Sequence, residues 1–360
     1  MDVKLNEVLN KLNFENIKSE QINKVGEGAW HTVYKVGGIN DQDLVIRIKK
    51  KEAYGEIQPI DEYELKTEYE STRAYYQHAN NSCRDICPNY FQYFIDEDIV
   101  FTVETYMGSG KDLSLLNTFE ANSYGEKLGI AFNNIHSKKI SMKGFGRLDW
   151  NGEFLQGSNL KKIDEIWEED NNYYLSALNN LINSKLIFNK DKVNKYITFL
   201  IENRRKKIQE ISLVNQDITP ENLILNLDKI AIIDPFPKLD FDVKYAAYFV
   251  FCYKFLLPAF SNAPRYLNNA YNEEISTLYE IADGFIQGYC YNNSHEFTIQ
   301  NKRLMDEYTL WMLQEANEHV EILNKDTLNN KTIQQMGNRE IINSRLDLCL
   351  EELEKLCSES

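Results

Sequence analysis

Three oxygen-bearing side chains stand at short intervals in residues 214–236, which read VNQDITPENLILNLDKIAIIDPF. Asp217 and Asn222 are five positions apart on a segment that contains Pro220, and Asp234 follows a run of Ile and Ala. Phosphoryl transfer needs one carboxylate aimed at the incoming hydroxyl, and oxygen ligands that hold magnesium against the phosphates. The stretch therefore predicts a phosphoryl-transfer site in which these side chains point into one cleft.

The residues between Asn222 and Asp234 predict a β-hairpin. The segment LILNLDKIAII carries polar residues in its middle, so we place the turn at or near residues 226–228. Such a hairpin returns the chain so that Asp234 ends a buried strand beside Asn222. A carboxylate there is costly to bury unless it is paired or on a metal. A plain alternative stays open, because Asp-Ile-Thr-Pro and Asp-Pro also suit a turn residue and a cap residue.

A second segment, GEGAWHTVY at residues 26–34, has two glycines on a strand turn. Gly26 and Gly28 would let the backbone approach a phosphate without obstruction from a Cβ atom. The same pattern is common in ordinary hairpin turns. Because no helix stands directly behind it and no Lys-Ser/Thr pair follows, the segment is neither a Rossmann site nor a P-loop.

A third feature is the strand LVIRI, which is followed by a predicted helix over residues 61–79. Arg47 on a central strand, paired with Glu68 on the helix, would hold the α- and β-phosphates of a nucleotide. The alternative, equally open from these residues alone, is an exposed arginine on a half-buried strand and a solvated glutamate.

The apolar patterns place these side chains on a few elements. Residues 1–20 are predicted to be helical, and two strands with a glycine-containing turn follow in KVGEGAWHTVYKVG and DQDLVIRIKK. The helix over 61–79 begins with acidic residues, as a helix dipole favours. YFQYFIDEDIVFTVETYM predicts two more strands, and most of the later chain is helical. We therefore predict an α+β fold with a β-rich nucleotide-binding lobe (1–107), a helical lobe with the catalytic loop and substrate pocket (108–360), and a ligand cleft at their junction.

Composition and charge exclude some classes of protein. The 360 residues carry a formal net charge of −15, which argues against a nucleic-acid binder and is compatible with a cationic substrate. The first residues, MDVKLNEVLNKLNF, have no apolar core of signal-peptide length. The most apolar run, YAAYFVFCYKFLLPAF, is broken by Lys254 and Pro258 and so predicts a buried helix rather than a membrane span. Six scattered cysteines without zinc spacing fit reduced thiols, so we expect a cytoplasmic protein.

The order of these features resembles that of the aminoglycoside phosphotransferase family, within the protein-kinase-like superfamily of small-molecule kinases. A glycine-rich hairpin, a strand cation, a helix acid, an Asp-x4-Asn loop and a strand-ending Asp follow one another, and the resemblance covers residues 25–260. It is strongest in QDITPENLIL and IAIIDPF. The resemblance implies a bilobal kinase-like fold that transfers the γ-phosphoryl group of ATP or GTP to a hydroxyl of a small molecule.

The resemblance also implies a role for each candidate residue. Asp217 would be the catalytic base, and Asn222 and Asp234 would hold Mg2+. Asp242, or Asp240 as the alternative, would brace the catalytic loop. Residues 103–107 would be the hinge that meets the base of the nucleotide. The residues implied to contact the nucleotide are Gly26, Gly28, Arg47, Glu68, Glu104 and Met107.

Two positions depart from the family's pattern. Asn215 stands where the family usually has a histidine that supports the loop. The strand cation is Arg, which binds as a planar fork, where the family usually has Lys, which binds as a point charge. Neither change removes the base or the magnesium ligands. A protein kinase is the poorer fit, because Asp234 is followed by Pro235 rather than Phe-Gly and a buried helix precedes the Ala-Pro-Arg at 263–265.

We therefore expect a kinase for a small cationic hydroxyl compound, with an aminoglycoside antibiotic as the leading substrate and antibiotic resistance as the consequence. The alternatives are a metabolic kinase for choline, fructosamine, homoserine or a thiosugar, and a non-catalytic kinase-like nucleotide-binding protein. The acidic run within 165–170 could line an amine-binding surface or form a solvated helix face. Glu315 and Glu318 could reach the substrate, although a solvated face fits their spacing better.

Overall fold

The computed structural model describes residues 2–14, 17–28, 30–39, 42–53, 56–57, 59–226, 229–291 and 294–358. The helices are α1 (Val3–Lys11), α2 (Glu62–Ser82), α3 (Thr118–Ser137), α4 (Ile163–Asn183), α5 (Lys190–Arg205), α6 (Asp242–Phe251), α7 (Leu257–Phe260), α8 (Ile275–Cys290), α9 (Ser294–Leu323), α10 (Asn330–Met336) and α11 (Arg339–Leu356). The strands are β1 (Ile22–Glu27), β2 (His31–Ile39), β3 (Gln42–Lys49), β4 (Glu52–Ala53), β5 (Glu56–Ile57), β6 (Phe91–Ile95), β7 (Val100–Thr105), β8 (Phe145–Trp150), β9 (Leu155–Asn159), β10 (Ile211–Asn215), β11 (Leu223–Asn226), β12 (Lys229–Ile232) and β13 (Pro237–Phe241).

The N-terminal strands form an antiparallel sheet in the order β1, β2, β3, β7, β6. Side chains alternate between its faces with a period of two. On β3, Leu44, Ile46 and Ile48 lie on one face, buried in a core cluster that also contains residues of α1. Arg47 therefore lies on the opposite face, so that face of the sheet carries the predicted site cation.

The N-terminal helix is shorter than the predicted span of 1–20. Asp2 caps α1 by accepting a hydrogen bond from the backbone N–H of Lys4, and the helix ends at Lys11. Asn13 has a left-handed backbone (φ 55°), and the N–H of Phe14 closes the end by donating to the carbonyl of Leu9. Left-handed residues commonly end helices in this way. The prediction was therefore wrong for residues 12–14 and 17–18, whereas Ser19–Gln21 is a short 3-10 helix and residues 15–16 lie outside the described residues.

The predicted helix over 61–79 is confirmed as α2. Asp61 caps it by accepting a hydrogen bond from the N–H of Glu64 at 3.0 Å, and acidic residues occupy its first turn, as the helix dipole favours. Its buried face includes Leu65, Tyr69 and Tyr76. The helix therefore brings a buried phenol close to the N-terminal sheet.

Two helices of the C-terminal part approach each other through glycines. Gly125 and Gly129 of α3 meet Gly284 and Gly288 of α8, and a Cβ atom built on any of the four would lie within 2.0–2.3 Å of a backbone oxygen of the other helix. Real Cβ atoms do not come this close. Glycine at these positions is therefore required by the packing.

The prediction of a buried helix for the most apolar run is confirmed. Asp242–Phe260 runs through α6, a π-helical turn over Cys252–Leu256 and α7, and it is long and apolar enough to cross a membrane by length and composition alone. However, 72% of its most apolar window is buried inside the protein. Phe249 stacks on Phe285 of α8 with ring centroids 4.0 Å apart, as in an ordinary core.

The chain divides into two compact units. The first consists of Met1–Gly110, Arg147–Ser158 and Asn215–Lys238, and the second of Lys111–Gly146, Asn159–Val214 and Leu239–Ser360. All the predicted nucleotide, metal and catalytic residues lie in the first unit. The α+β fold is confirmed, whereas nucleotide binding by 1–107 and substrate binding by 108–360 stay predictions.

Candidate active site

The loop that carries Asp217 is held by the side chain of Asn215, the last residue of β10. The amide oxygen of Asn215 accepts hydrogen bonds from the N–H groups of Asp217 (3.1 Å) and Phe236 (2.9 Å), and its Nδ2 donates to the carbonyl of Asp217 (3.0 Å). Asn215 is 2% exposed. One buried amide therefore fastens the Asp217 loop to the segment that follows Asp234.

Asp217 itself is half-buried at the start of a tight turn. The hydroxyl of Thr219 donates a hydrogen bond to its carboxylate at 3.1 Å. Pro220 then begins a 3-10 turn, in which the N–H of Asn222 donates to the carbonyl of Thr219 at 2.9 Å. This turn sets the separation between Asp217 and Asn222, the two ends of the predicted Asp-x4-Asn loop.

The predicted hairpin is confirmed, with β11 and β12 antiparallel and Leu223 opposite Ile232. The N–H of Ile233 donates to the carbonyl of Asn222 at 3.0 Å, so the pairing continues past the strands and places Asp234 next to Asn222. Residues 227–228 of the predicted turn lie outside the described residues. Asp234 has a left-handed backbone (φ 49°) and a side chain that is 50% exposed.

Arg47 does not pair with Glu68, which corrects the sequence prediction. Its Nε donates to the carboxylate of Glu104 at 3.0 Å, and its Nη1 lies 3.4 Å from a carboxylate oxygen of Asp234. The Arg47 side chain is 13% exposed and that of Glu104 is 3% exposed. The interpretation of Arg47 as an exposed surface arginine is therefore also wrong.

The strand register explains the choice of partner. On β3 and β7, Val45 lies opposite Glu104 and Arg47 lies opposite Thr102, so Glu104 is the diagonal neighbour of Arg47 on the same face of the sheet. Burial raises the pKa of Glu104, and the positive charge of Arg47 opposes that rise. Burial also disfavours the charge on Arg47, but Glu104 and Asp234 outweigh it and raise its pKa. Glu68 is exposed on α2, and the cation that acts most strongly on it is Lys49.

Tyr76 of α2 links the ion pair to the backbone at Asp234. Its hydroxyl donates to Glu104 at 2.9 Å and accepts a hydrogen bond from the N–H of Asp234 at 3.1 Å. Arg47, Glu104, Tyr76 and Asp234 thus form a closed ring of contacts from two strands, one helix and one loop. Because buried polar groups need all their partners, this ring fixes the unusual backbone of Asp234.

The predicted hinge begins within β7. Glu104 lies inside this strand and its carboxylate is occupied by Arg47 and Tyr76, while Met107, just past the strand end, is 8% exposed. The N–H of Tyr106 donates to the carbonyl of Asp43 at 2.9 Å. Contact of this segment with a nucleotide base stays a prediction.

A Cβ atom at either glycine of the first hairpin would meet only ordinary van der Waals contacts. A Cβ atom on Gly28 would have its nearest neighbour, the carbonyl oxygen of His31, at 4.0 Å, and one on Gly26 would lie 3.7 Å from Val33. The N–H of Gly28 donates to the carbonyl of His31 at 3.0 Å and closes the hairpin. Internal packing therefore does not require glycine here, which fits a backbone that a ligand approaches closely.

Sequence reasoning missed three residues of this unit: Tyr76, His31 and Lys49. Tyr76 gave no sequence signal, since one tyrosine in a Tyr-rich helix is unremarkable. His31 and Lys49 lie opposite each other on β2 and β3, and Lys49 is two residues beyond Arg47. The period of two along β3 was sufficient to place Lys49 on the face of Arg47. Burial lowers the pKa of His31 to about 4, so its imidazole is neutral at pH 7.

The residues present fit a magnesium ion that is shared with a nucleotide. Among the described residues, no group of three or more His, Cys, Asp or Glu side chains could hold a metal by itself. Mg2+ in phosphoryl transfer needs less, because it takes one or two protein oxygens and fills its octahedron with phosphate oxygens and water. The half-exposed carboxylate of Asp234 and the side-chain amide of neighbouring Asn222 offer oxygens of this kind, and their binding of Mg2+ stays a prediction.

In the second unit, most of the acidic run is paired with cations of the chain. Asp170 contacts Arg204 at 2.7 Å and Lys244 at 2.6 Å and is nearly buried, so it is neither a solvated residue nor an open amine site. Glu168 lies 2.9 Å from Arg205 and is about half exposed. An amine-binding surface along this run therefore gains no support from its geometry.

Other predicted residues of the second unit are also buried. Glu315 is 9% exposed and lies 3.4 Å from His319, and burial raises its pKa to about 8, so its assignment to a solvated face was wrong. Asp242 begins α6 with one carboxylate oxygen buried and, among the described residues, without a hydrogen-bond partner; burial raises its pKa to about 6. The carboxylate of Asp240 accepts from the N–H of Phe241 at 2.8 Å. A bracing role for either aspartate stays a prediction.

Solved structures of small-molecule kinases share this fold. A thermostable mutant of aminoglycoside phosphotransferase APH(4)-Ia, in ternary complex with AMP-PNP and hygromycin B, superposes with a TM-score of 0.54 at 13% identity over 97% of this chain and 98% of that one. ADP-bound aminoglycoside phosphotransferase APH(2'')-Ib has a TM-score of 0.50 at 14% identity over 99% of both chains. Choline kinase from Cryptosporidium parvum has a TM-score of 0.50 at 13% identity over 99% of this chain and 97% of that one.

These likenesses extend over nearly the whole length of each chain. The protein therefore has the protein-kinase-like fold of the aminoglycoside phosphotransferases and of choline kinase, as the motifs predicted. No family model and no curated protein sequence matches the chain.

Proposed function

We propose that this chain is a small-molecule kinase that transfers the γ-phosphoryl group of ATP or GTP to a hydroxyl group, with Mg2+ on the nucleotide. The observation that carries the proposal is the double attachment of Asp234. Its carboxylate contacts Arg47 and its N–H donates to Tyr76, while Asn215 joins the following residues to the Asp217 loop. Turn and cap residues are usually held by hydrogen bonds to their sequence neighbours, so contacts with distant strands and with α2 favour the phosphoryl-transfer interpretation of these aspartates.

In this proposal Asp217 accepts the proton of the acceptor hydroxyl as that oxygen attacks phosphorus. Thr219 donates a hydrogen bond to the Asp217 carboxylate, and two hydrogen bonds join the Asp217 backbone to the Asn215 side chain. These bonds hold its position, and positioning supplies much of the catalysis in phosphoryl transfer. Asn222 and Asp234 would hold Mg2+. When bound, the ion would neutralise charge that develops on the phosphate oxygens.

For the acceptor we propose an amine-bearing alcohol. The formal net charge of −15 favours attraction of cations, and the solved relatives include a complex with hygromycin B and a choline kinase. An aminoglycoside is the leading candidate, with choline-type and sugar-amine substrates second. A cytoplasmic enzyme that confers antibiotic resistance would follow from the first of these.

The test is an ADP- or GDP-release assay with Mg2+ and a panel of aminoglycosides, choline and sugar amines. Turnover with one acceptor should fall about 100- to 10,000-fold in Asp217→Asn, the usual contribution of a general base. Asp98→Asn makes the same chemical change at an exposed position of β-hairpin β6–β7 and should leave turnover as it is. Wild-type turnover by Asp217→Asn would refute the assignment of the base.

A non-catalytic nucleotide-binding protein is the competing function. It predicts that the wild-type chain binds nucleotide in calorimetry but releases no ADP or GDP with any acceptor on the panel. A chain that binds neither ATP nor GTP would refute both functions, because Asp234 would then have been misassigned.

A further inference from the structure

Lys49 places an ammonium group beside the Arg47 ring of contacts without taking part in it. It is the last residue of β3 and lies opposite His31, on the same face of the sheet as Arg47. Its side chain is half-buried, with Nζ 5.3 Å from the ring centroid of Trp30 at the glycine-containing turn. Within the described ranges, no carboxylate lies at ion-pair distance from Lys49. Its ammonium is therefore not neutralised by a carboxylate at ion-pair distance among these residues, and its partly covered stem directs it along this face of the sheet.

The charge of Arg47, in contrast, is already used. Its Nε is bound to Glu104 and its Nη1 contacts Asp234, and only 13% of the side chain is exposed. One guanidinium therefore already serves two carboxyl groups of the chain. A nucleotide's phosphates would need a further cation at this face of the sheet, beyond the shared magnesium ion.

Lys49 lies between the elements that a phosphate chain would contact. Burial lowers the pKa of His31 on β2 and raises that of Glu68 on α2; the charge of Lys49 adds to the first effect and opposes the second. The ammonium therefore lies close to the first hairpin on one side and to α2 on the other. His31, which lies opposite Lys49, is neutral near pH 7 and so adds no positive charge at this position.

We propose that Lys49 is the residue that binds the nucleotide's β- and γ-phosphates, whereas Arg47 is a positioning residue that holds Asp234. This division of roles rests on the proposed kinase function. It also accounts for the departure of the strand cation from Lys to Arg, because an arginine fork can contact two carboxylates at once, while a lysine ammonium binds phosphate as a point charge.

The experiment is calorimetric binding of ATP, ADP and AMP, with the GTP series in parallel, to the full chain and to Lys49→Gln. The substitution should weaken ATP and ADP binding at least tenfold and leave AMP binding within about twofold, so that the affinity gained per added phosphate nearly disappears. Lys49→Arg should recover most of the ATP affinity. Lys51→Gln removes an equal charge from an exposed neighbour and should match the wild type.

The outcomes separate this inference from the function on which it rests. If the wild type binds nucleotides and Lys49→Gln binds ATP as tightly as the wild type, or loses AMP and ATP affinity equally, the role of Lys49 is refuted and the kinase proposal stands. If the wild type binds none of the nucleotides, both are refuted. Should Lys49→Gln fail to fold, Lys49→Met takes its place, because it also removes the ammonium: a loss of ATP and ADP affinity with AMP affinity kept supports the role, and an ATP affinity equal to the wild type's refutes it.

Discussion

Replacing Arg47 by methionine would remove the cation from a buried ion pair while keeping an apolar side chain of similar length. The Glu104 side chain is 3% exposed, and Nε of Arg47 lies 3.0 Å from its carboxylate. Removing one partner of a buried pair costs about 3–5 kcal/mol, because the remaining charge is left in a medium that solvates it poorly. We therefore expect Arg47→Met to lower the free energy of unfolding by about that amount.

The contact with Asp234 contributes little to this figure. Asp234 is 50% exposed and its oxygen is 3.4 Å from Nη1, and pairs of this kind contribute about 0–1 kcal/mol. Nearly all of the loss should therefore come from Glu104. A double variant, Arg47→Met with Glu104→Met, should lose much less than Arg47→Met alone, since apolar replacement of a whole buried pair is often close to neutral.

The loss should also depend on pH. Burial already raises the pKa of Glu104 in the folded protein, and without Arg47 that pKa rises further above the ordinary value of 4.5. A group whose folded pKa is raised contributes stability at low pH that is lost as the pH rises through the folded pKa. The deficit of Arg47→Met should therefore be larger at pH 8 than at pH 5.

Urea unfolding at both pH values, followed by tryptophan fluorescence, measures these differences. Arg84→Met, at a side chain that is 94% exposed, serves as the control and should change the free energy of unfolding by less than about 0.5 kcal/mol. A loss below about 1 kcal/mol at pH 8 for Arg47→Met, or a double variant as unstable as the single one, would refute the reasoning.

Three further substitutions test other parts of the structure. Gly284→Ala should lower the free energy of unfolding, measured in urea, by about 2–3 kcal/mol, because its Cβ would lie 2.0 Å from the carbonyl oxygen of Asn122. A loss below about 1 kcal/mol would contradict the close packing of α3 and α8. Burial raises the pKa of Glu315 to about 8, so the wild type loses stability as the pH rises from about 4.5 to 8. Glu315→Gln should therefore raise the melting temperature at pH 8.5 but not at pH 4. Equal changes in melting temperature at both pH values would be inconsistent with this pKa. Tyr76→Phe should cost about 1–3 kcal/mol of unfolding free energy, since the N–H of Asp234 loses its acceptor, and a neutral result would mean that water replaces the phenol.

Several features of the site could be predicted because their causes are local. Pro220 and the polar centre of LILNLDKIAII specify a turn and a hairpin from neighbouring residues, and the structure has both. Asp61 before a run with acidic residues specifies the start of α2 in the same way. The error at the N-terminus was also local in kind: Asn13 took a left-handed backbone, which the apolar spacing of residues 1–20 does not encode.

The partner of Arg47 could not be predicted in that manner. Nothing near Arg47 in the sequence favours Glu104 over Glu68, because the choice depends on the register between β3 and β7 and on the place of α2 against the sheet. The same holds for Asp170, which looks like one member of an acidic surface run until α5 and α6 bring Arg204 and Lys244 to it.

The sequence by itself determined which chemical groups this protein offers and the order in which the chain presents them: a glycine hairpin, a strand cation, the Asp217 loop and Asp234. Short-range rules suffice for these, because turns, caps and alternation involve residues within a few positions of one another. Only the tertiary structure decided which charges neutralise one another and which remain available. The strength of an ion pair falls steeply with distance and with exposure to water. Arg47 and Lys49 lie on the same strand, but packing against distant parts of the chain sets both quantities for each of them.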